Sequence, residues 1–145
     1  KATGWEISYA SVDLRTDREI VLIAIKENGQ ALEHLSNDFK SNRELVLEAC
    51  KSNKSDGYGD CILEYTSDEF KSDREVVIEA IKTNSWELKN AANNLKADRE
   101  VVLAAVQQRG ETLEYASDEL RADREVILAA VKENGLSLQY ACMPK

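Results

Sequence analysis

Five apolar blocks punctuate the chain: Ile20 to Ile25, Leu45 to Cys50, Val76 to Ile81, Val101 to Val106 and Val126 to Val131. Each opens directly after a polar triplet: Asp17-Arg18-Glu19, Asn42-Arg43-Glu44, Asp73-Arg74-Glu75, Asp98-Arg99-Glu100 and Asp123-Arg124-Glu125. The arginines stand at 18, 43, 74, 99 and 124, so they are 25, 31, 25 and 25 residues apart. Self-similarity at a fixed period of this size is the mark of stacked repeat units. The Asp or Asn of each triplet suits an N-cap, because its side-chain oxygen accepts from an amide that the first helical turn leaves unpaired. The Glu two positions later sits where the helix dipole favours negative charge. Gly29, Gly110 and Gly135 follow the last turn, where a left-handed residue ends a helix without a Cβ penalty. The pattern predicts a helix A of about 11 residues, apolar nearly all round and therefore covered on several sides.

A second helix, B, is predicted before each triplet. Its apolar positions recur at i, i+3 and i+7, as Leu32, Leu35 and Phe39, as Leu63, Thr66 and Phe70, and as Leu113, Ala116 and Leu120. Its polar face carries Asp118, Glu119, Arg121 and their equivalents. The chain opens on such a helix (Trp5 to Leu14) and finishes on a shortened one (Leu136 to Met143). The expected fold is an all-α helical-repeat solenoid of about five two-helix units, roughly eleven helices each too short to stand alone. The units fall near 5–28, 30–53, 61–84, 86–109 and 111–134, with a partial cap at 136–145 and an insertion at 54–60, all in one domain.

The repeating string D-R-E-V-V-L-A-A-V-x-x-x-G-x-x-L-E-Y-A-S-D-E-L, read from Asp98 to Leu120, resembles the repeats called domain of unknown function 4116. The resemblance runs over almost the whole chain. It implies a tandem repeat array, with no established activity and no catalytic motif to carry over. The insertion between Lys54 and Asp60 departs from the family's regular spacing.

Charge narrows the functional classes. The net charge is −8, which disfavours nucleic acid and anionic membranes, since both need a basic surface. No apolar run is long enough to cross a bilayer. Cys50, Cys61 and Cys142 are an odd, scattered set that reads as reduced thiols inside a cell, with a Cys50–Cys61 bridge as the minor alternative to a core thiol at Cys50. The first residue is Lys1, which reads as a processed protein or a fragment of a longer array; the expected setting is intracellular and soluble, in the cytoplasm or in an organelle after presequence removal.

Candidate chemistry is thin. The arginine column could form a ladder for a polyanion, but each Arg is flanked by carboxylates, and exposed or inter-unit ion pairs are the expected outcome. Tyr9, Tyr65, Tyr115 and Tyr140 share a column with His34 and Asn90, suited to packing between units with the hydroxyl at the rim. His34 is the only histidine, so neither a catalytic triad nor a zinc site can be assembled around it. The pairs Asp68-Glu69 and Asp118-Glu119, with Asp13 and Asp38, form a strip that would suit solubility or a basic partner. Read as an EF-hand from Asn53 to Glu64, the insertion puts Tyr58 where the loop requires Gly, and the match fails.

Two features break the repeat. Trp5 and Trp86 share a column otherwise filled by Gln30, Cys61, Glu111 and Leu136; exposed tryptophans are frequent binding anchors. Tyr58, between Gly57 and Gly59 and close to Asp56, is presented on a loop that stacking does not require. The candidate partner-binding residues are therefore Tyr58, Trp86, Trp5 and Asp56. No catalytic, cofactor or metal residue is assigned, and a protein partner is expected rather than nucleic acid or a small molecule. The function expected is a non-catalytic interaction scaffold or accessory, stabilising subunit of a larger complex. The alternatives are an enzyme with an unrecognised site and, less favoured, a nucleic-acid-binding array. In stability terms, Val102 and Ile78 are expected inside, and Gln108 on the exposed rim.

Overall fold

A computed structural model of the chain describes residues 16–53 and 61–142. Every regular element among them is helical. In chain order they are α1 (Arg18–Glu27), the 3-10 segment η1 (Gly29–His34), α2 (Asn37–Lys40), α3 (Arg43–Lys51), η2 (Ile62–Tyr65), α4 (Asp68–Lys71), α5 (Arg74–Thr83), η3 (Ser85–Asn90), α6 (Asn93–Lys96), α7 (Arg99–Val106), η4 (Gly110–Tyr115), α8 (Asp118–Arg121), α9 (Arg124–Glu133) and η5 (Gly135–Tyr140). Counted from the start of each long helix (18–40, 43–71, 74–96, 99–121 and 124–142), the units stack so that α1, α3, α5, α7 and α9 each pack on the next, the 3-10 segments do likewise, and η1 to η4 are each also held against the long helices of their own unit and of the following one. This is a solenoid of repeated units, as the period predicts.

The long helices start as their sequence dictates. Asp17, Asn42, Asp73, Asp98 and Asp123 each accept from first-turn amides, for example Asp98 Oδ1 from the N–H of Val101 at 3.2 Å. Most of each apolar block is interior: Val21, Val46, Val77 and Val102 are fully buried, and so are Ile25, Cys50, Ile81 and Val106, whereas Ile20, Ile23 and Leu128 are exposed, so the helices are not covered on every apolar side. Ile78 is only partly buried, packed against the core's margin.

Their ends are not the expected ones. Asn28, Asn84 and Asn134 stop the helices by adopting extended backbone, with φ of −156°, −150° and −147°. Each Asn side chain then accepts from the N–H two residues on, in Gln30, Trp86 and Leu136, which starts the 3-10 segment. The glycines after them are not left-handed. Gly29 and Gly110 are small for another reason: a Cβ on Gly29 would lie 2.0 Å from the carbonyl oxygen of Ala49, and one on Gly110 would lie 2.2 Å from that of Ala130. They let the backbones of neighbouring units touch.

Helix B is likewise not one helix. It breaks into a 3-10 segment and a single α-helical turn, separated by two extended residues such as Ala91 and Ala92 or Ala116 and Ser117, so each B element counts as two short pieces within the all-α solenoid. The break has a purpose in the hydrogen-bond ledger. The N–H groups of Ala92, Ser117 and Cys142 donate to the carbonyls of Lys71, Lys96 and Arg121 in the preceding units, at 2.8, 2.9 and 2.8 Å. A continuous helix would keep those amides to itself. The apolar spacing survives, with Leu32, Leu63, Leu88 and Leu113 all fully buried beneath the 3-10 segments.

Candidate functional site

The arginine column is a chain of inter-unit clamps. Arg43 bonds Asp73 at 2.9 Å and also Glu75; Arg74 bonds Asp98 at 2.9 Å and also Glu100; Arg99 reaches Asp123 at 3.4 Å and also Glu125. Arg18, facing Asn42 rather than an aspartate, pairs among the described residues with Glu44 alone, at 3.3 Å. The Arg43 guanidinium holds the Asp73 carboxyl below the ordinary carboxylate range. Each of these four clamps carries one cation against one or two anions, so from Arg18 to Arg99 the row offers no surplus positive charge to a phosphate chain. On the short helices, Lys71 pairs with Asp68 at 3.1 Å and Arg121 with Asp118 at 3.6 Å, which uses part of the acidic strip locally.

The strongest departure from the repeat lies where the third unit meets the fourth. In most units the residue in the Trp86 column is tied to the Asn of the next unit: Gln30 to Asn53 at 3.5 Å, Cys61 to Asn84 at 3.8 Å and Glu111 to Asn134 at 3.2 Å. At this junction both members change together, Trp86 replacing the polar side chain and Arg109 replacing the Asn. The Arg109 guanidinium carbon lies 5.5 Å from the centroid of the Trp86 ring, over its face. Tyr115 meets the same ring edge-on, with centroids 6.0 Å apart. The quadrupole of an aromatic ring attracts a cation over its face and a ring edge alike. Trp86 is half-buried, and its indole N–H is enclosed without an acceptor. Trp86 is thus both a packing residue and the exposed rim of an aromatic and cationic patch.

The other candidates are placed differently. Trp5 lies in 1–15, and Asp56 and Tyr58 lie in 54–60, outside the described residues, so the structure does not bring them together with Trp86. Cys50, Cys61 and Cys142 are all free thiols, the first two buried, and no bridge joins Cys50 to Cys61. Burial pushes the Cys50 thiol well up, which keeps it neutral and unreactive. His34 and Tyr65 are half-buried in their shared column, as are Tyr115 and Tyr140.

One residue of chemical interest escaped the sequence reading. Glu87 has no exposed surface, and its two carboxylate oxygens accept from the backbone N–H groups of Ile62 and, at 3.2 Å, Leu63 in the preceding unit. Burial pushes its carboxyl up to about 7, against the pull of those amides. The signal was present: Ala31, Ile62, Thr112 and Ser137 fill the same column, shared with one other acid, Glu6, and a Glu among small or apolar residues marks a buried charge.

Surface concavities are modest. A groove of about 600 Å³ beside α7 and α9 is lined by Leu103, Gln107, Glu125, Leu128, Lys132 and Glu133 among others. Glu125 is held by Arg99 and Glu133 accepts from the N–H of Gly110, so Lys132 is the lining charge left for a ligand. Smaller clefts of about 350 and 290 Å³ recur at equivalent junctions, lined by Asn37, Lys40, Tyr65 and Asp68 and by Asn93, Lys96, Tyr115 and Asp118. Among the described residues no group of three His, Cys, Asp or Glu is arranged to hold a metal ion, and no helix is long and apolar enough to cross a membrane.

No curated protein and no solved structure matches the chain. A model of one family does match, in four overlapping segments at residues 1–40, 17–56, 42–96 and 98–143. The repeated triplets, the inter-unit clamps and these matches agree, and the chain belongs to the family described as domain of unknown function (DUF4116).

Proposed function

We propose that this array is a non-catalytic protein-interaction scaffold or accessory subunit of a larger complex, cytoplasmic or organellar, and that it meets its partner through the rim around Trp86. The observation that carries this reading is the paired change of Trp86 and Arg109. Stacking is achieved at the three other junctions described with a small polar pair, so a tryptophan capped by an arginine is more than stacking needs. Half-exposed Trp, Tyr and Arg side chains are the residue types that dominate binding energy at protein interfaces. Tyr115 and the exposed Lys89 extend the patch along the 3-10 face. The cancelled charge of the arginine column weighs against nucleic acid, because a backbone-binding groove needs uncompensated cations.

A photo-crosslinking residue placed at Lys89, beside the patch, tests the reading in extract of the native source. A control carries the same group at Lys51, on an exposed part of α3. The expected result is one protein captured from position 89 and lost when Trp86→Ala is added. Equal capture from both positions, or capture indifferent to Trp86→Ala, would sink the proposal. Turnover of a small molecule that Lys132→Ala abolishes would favour the enzyme reading instead.

A further inference from the structure

We propose that two clefts, one at Lys40 and one at Lys96 two units further on, hold a pair of carboxylates carried by one extended segment of a partner protein. The inference does not rest on the Trp86–Arg109 pair, although Tyr115 borders both. It rests on columns that change together in alternate units, and on the cation that the change sets free.

The short α-helices end on a cation in four successive units: Lys40, Lys71, Lys96 and Arg121. In the second and fourth units an Asp three residues earlier engages it, Asp68 with Lys71 at 3.1 Å and Asp118 with Arg121 at 3.6 Å. Arg121 also donates to the carbonyl of Tyr140 at 2.7 Å. In the first and third units that position is Asn37 or Asn93, and neither Lys40 nor Lys96 has a carboxylate partner among the described residues. The residues beside the freed lysines change as well. Tyr65 and Ser67 share a cleft with Lys40, and Tyr115 and Ser117 share one with Lys96, whereas the same columns at the Lys71 junction hold Asn90 and Ala92. That junction still stacks, with the Ala92 N–H on the Lys71 carbonyl at 2.8 Å. A phenol, a hydroxyl and a spare cation are therefore more than stacking requires.

The clefts measure about 350 Å³ at Lys40 and about 290 Å³ at Lys96, room for a side chain rather than a cofactor. At Lys96 the available donors are its ammonium, the Asn93 amide and the hydroxyls of Tyr115 and Ser117. Ser117 Oγ accepts from the N–H of Leu120 at 3.4 Å, which leaves its own proton to donate. The carboxylate on the lining, Asp118, is held by Arg121, and Glu114 and Lys89 act on the Tyr115 phenol in opposite senses. The cleft thus carries a single surplus positive charge among several donors. That suits a carboxylate, with about four lone-pair sites to satisfy, better than a dianionic phosphate. The Lys40 cleft repeats the set with Asp68 held by Lys71, but Ser67 donates to Glu69 at 3.3 Å, so it is the weaker of the two. Helices of neighbouring units pack about 8–10 Å apart, so the clefts lie about 16–20 Å apart, which an extended chain covers in about six residues. Side chains alternate along such a chain, so carboxylates at i and i+6 leave from one face.

Labelled synthetic peptides with two glutamates in a Ser-Thr background, spaced i, i+6 or i, i+2, test this on the full chain by fluorescence anisotropy. The expected result is a dissociation constant of about 1 mM or below for the i, i+6 peptide. The i, i+2 peptide, and the i, i+6 peptide with Gln for Glu, should bind at least tenfold more weakly. That comparison needs no variant of the protein. Lys96→Met keeps the apolar stem and removes the charge; it should cost at least tenfold, Lys40→Met less, and Lys71→Met, whose lysine is engaged in its own unit, nothing. An i, i+6 phosphoserine peptide should bind no better than the glutamate one. No binding at millimolar peptide overturns the inference. So does binding that ignores the spacing, that survives both Lys96→Met and Lys40→Met, or that is tighter for phosphoserine.

Discussion

The backbone of Gly110 passes so close beneath Ala130 that a Cβ at Gly110 would lie 2.2 Å from the carbonyl oxygen and 2.4 Å from Ser137 Oγ. The contact joins the fourth unit to the fifth, and no side chain fits between them. Gly110→Ala should therefore force the junction apart and cost about 2 kcal/mol or more, as overpacking against a rigid backbone does. Gly135 has the same place in its unit with open space around it. Gly135→Ala should be neutral or stabilise by about 0.5 kcal/mol, since it mainly restricts the unfolded chain. Thermal melts of the two variants at a concentration where the chain is monomeric check this. Equal effects would show that the glycines serve the turn and not the contact.

Much of this was legible beforehand. The period, the caps at Asp17, Asn42, Asp73, Asp98 and Asp123, and the interior placement of Val102 and Cys50 follow from short-range rules that the structure obeys. The glycines and helix B were misread because one pattern admits two physical causes. A glycine after a helix can supply a left-handed residue or a close approach, and only the neighbouring unit decides which. Apolar spacing at i, i+3 and i+7 is met equally by one helix and by a 3-10 segment followed by a short turn. What distinguishes them is the bond from the Ser117 N–H to the Lys96 carbonyl, a partner 21 residues away. The Trp86 column stood out in the sequence, but what Trp86 touches depended on Arg109, which is informative only when the Asn column of the next unit is read beside it.

Gln108 illustrates how an exposed position can carry weight. Its amide donates to the carbonyl of Ile81, at the end of α5, at 3.1 Å, and to that of Ala104 at 3.2 Å. Thr83 does the same for Cys50 one unit earlier, at 3.0 Å. Gln108→Glu was expected to be harmless from its rim position. With two carbonyls in front of it, a carboxylate loses both bonds and faces negative dipoles, so the cost should reach about 1–2 kcal/mol. The neighbouring exposed change Gln107→Glu should stay within about 0.5 kcal/mol, and Val102→Asp, in the dry interior, should cost several kcal/mol. Denaturant midpoints rank the three; Gln107→Glu matching Gln108→Glu would remove the capping role.

The exchange of pairs at the third junction can be reversed. Arg109→Asn alone strips the cation from the Trp86 face and should lose about 0.5–1 kcal/mol. Trp86→Gln alone leaves Arg109 without its ring. The double variant rebuilds the Gln30–Asn53 type of pair and should be more stable than the sum of the single losses allows. A double-mutant cycle measures that coupling. Additive losses would mean that the two residues changed independently.

Glu87 gives the fold a pH dependence of unusual sign. Its carboxylate is buried beneath η2, accepts from Ile62 and Leu63, and lies near the Cys50 thiol, with Lys89 on its own segment. Burial raises its folded-state value from 4.5 to about 7, so the folded protein holds this proton more tightly than the unfolded chain does. Stability from this group is greatest below the unfolded value and declines as pH rises to and past about 7, where the buried group must ionise. The full span corresponds to on the order of 3 kcal/mol. The aspartates of the clamps work in the opposite direction, because Arg43 lowers Asp73; their contribution is lost only in more acidic solution, as pH falls through the lowered value. Between about pH 5 and 8 the chain should therefore melt at higher temperature in the more acidic buffer. Glu87→Gln keeps the volume and one acceptor but cannot ionise, so its melting temperature should depend less on pH and exceed that of the native chain at pH 8. Subtracting the two curves cancels every other titrating group. Parallel curves for native and Glu87→Gln protein would show that Glu87 does not titrate in this window and that its two backbone bonds hold it charged throughout.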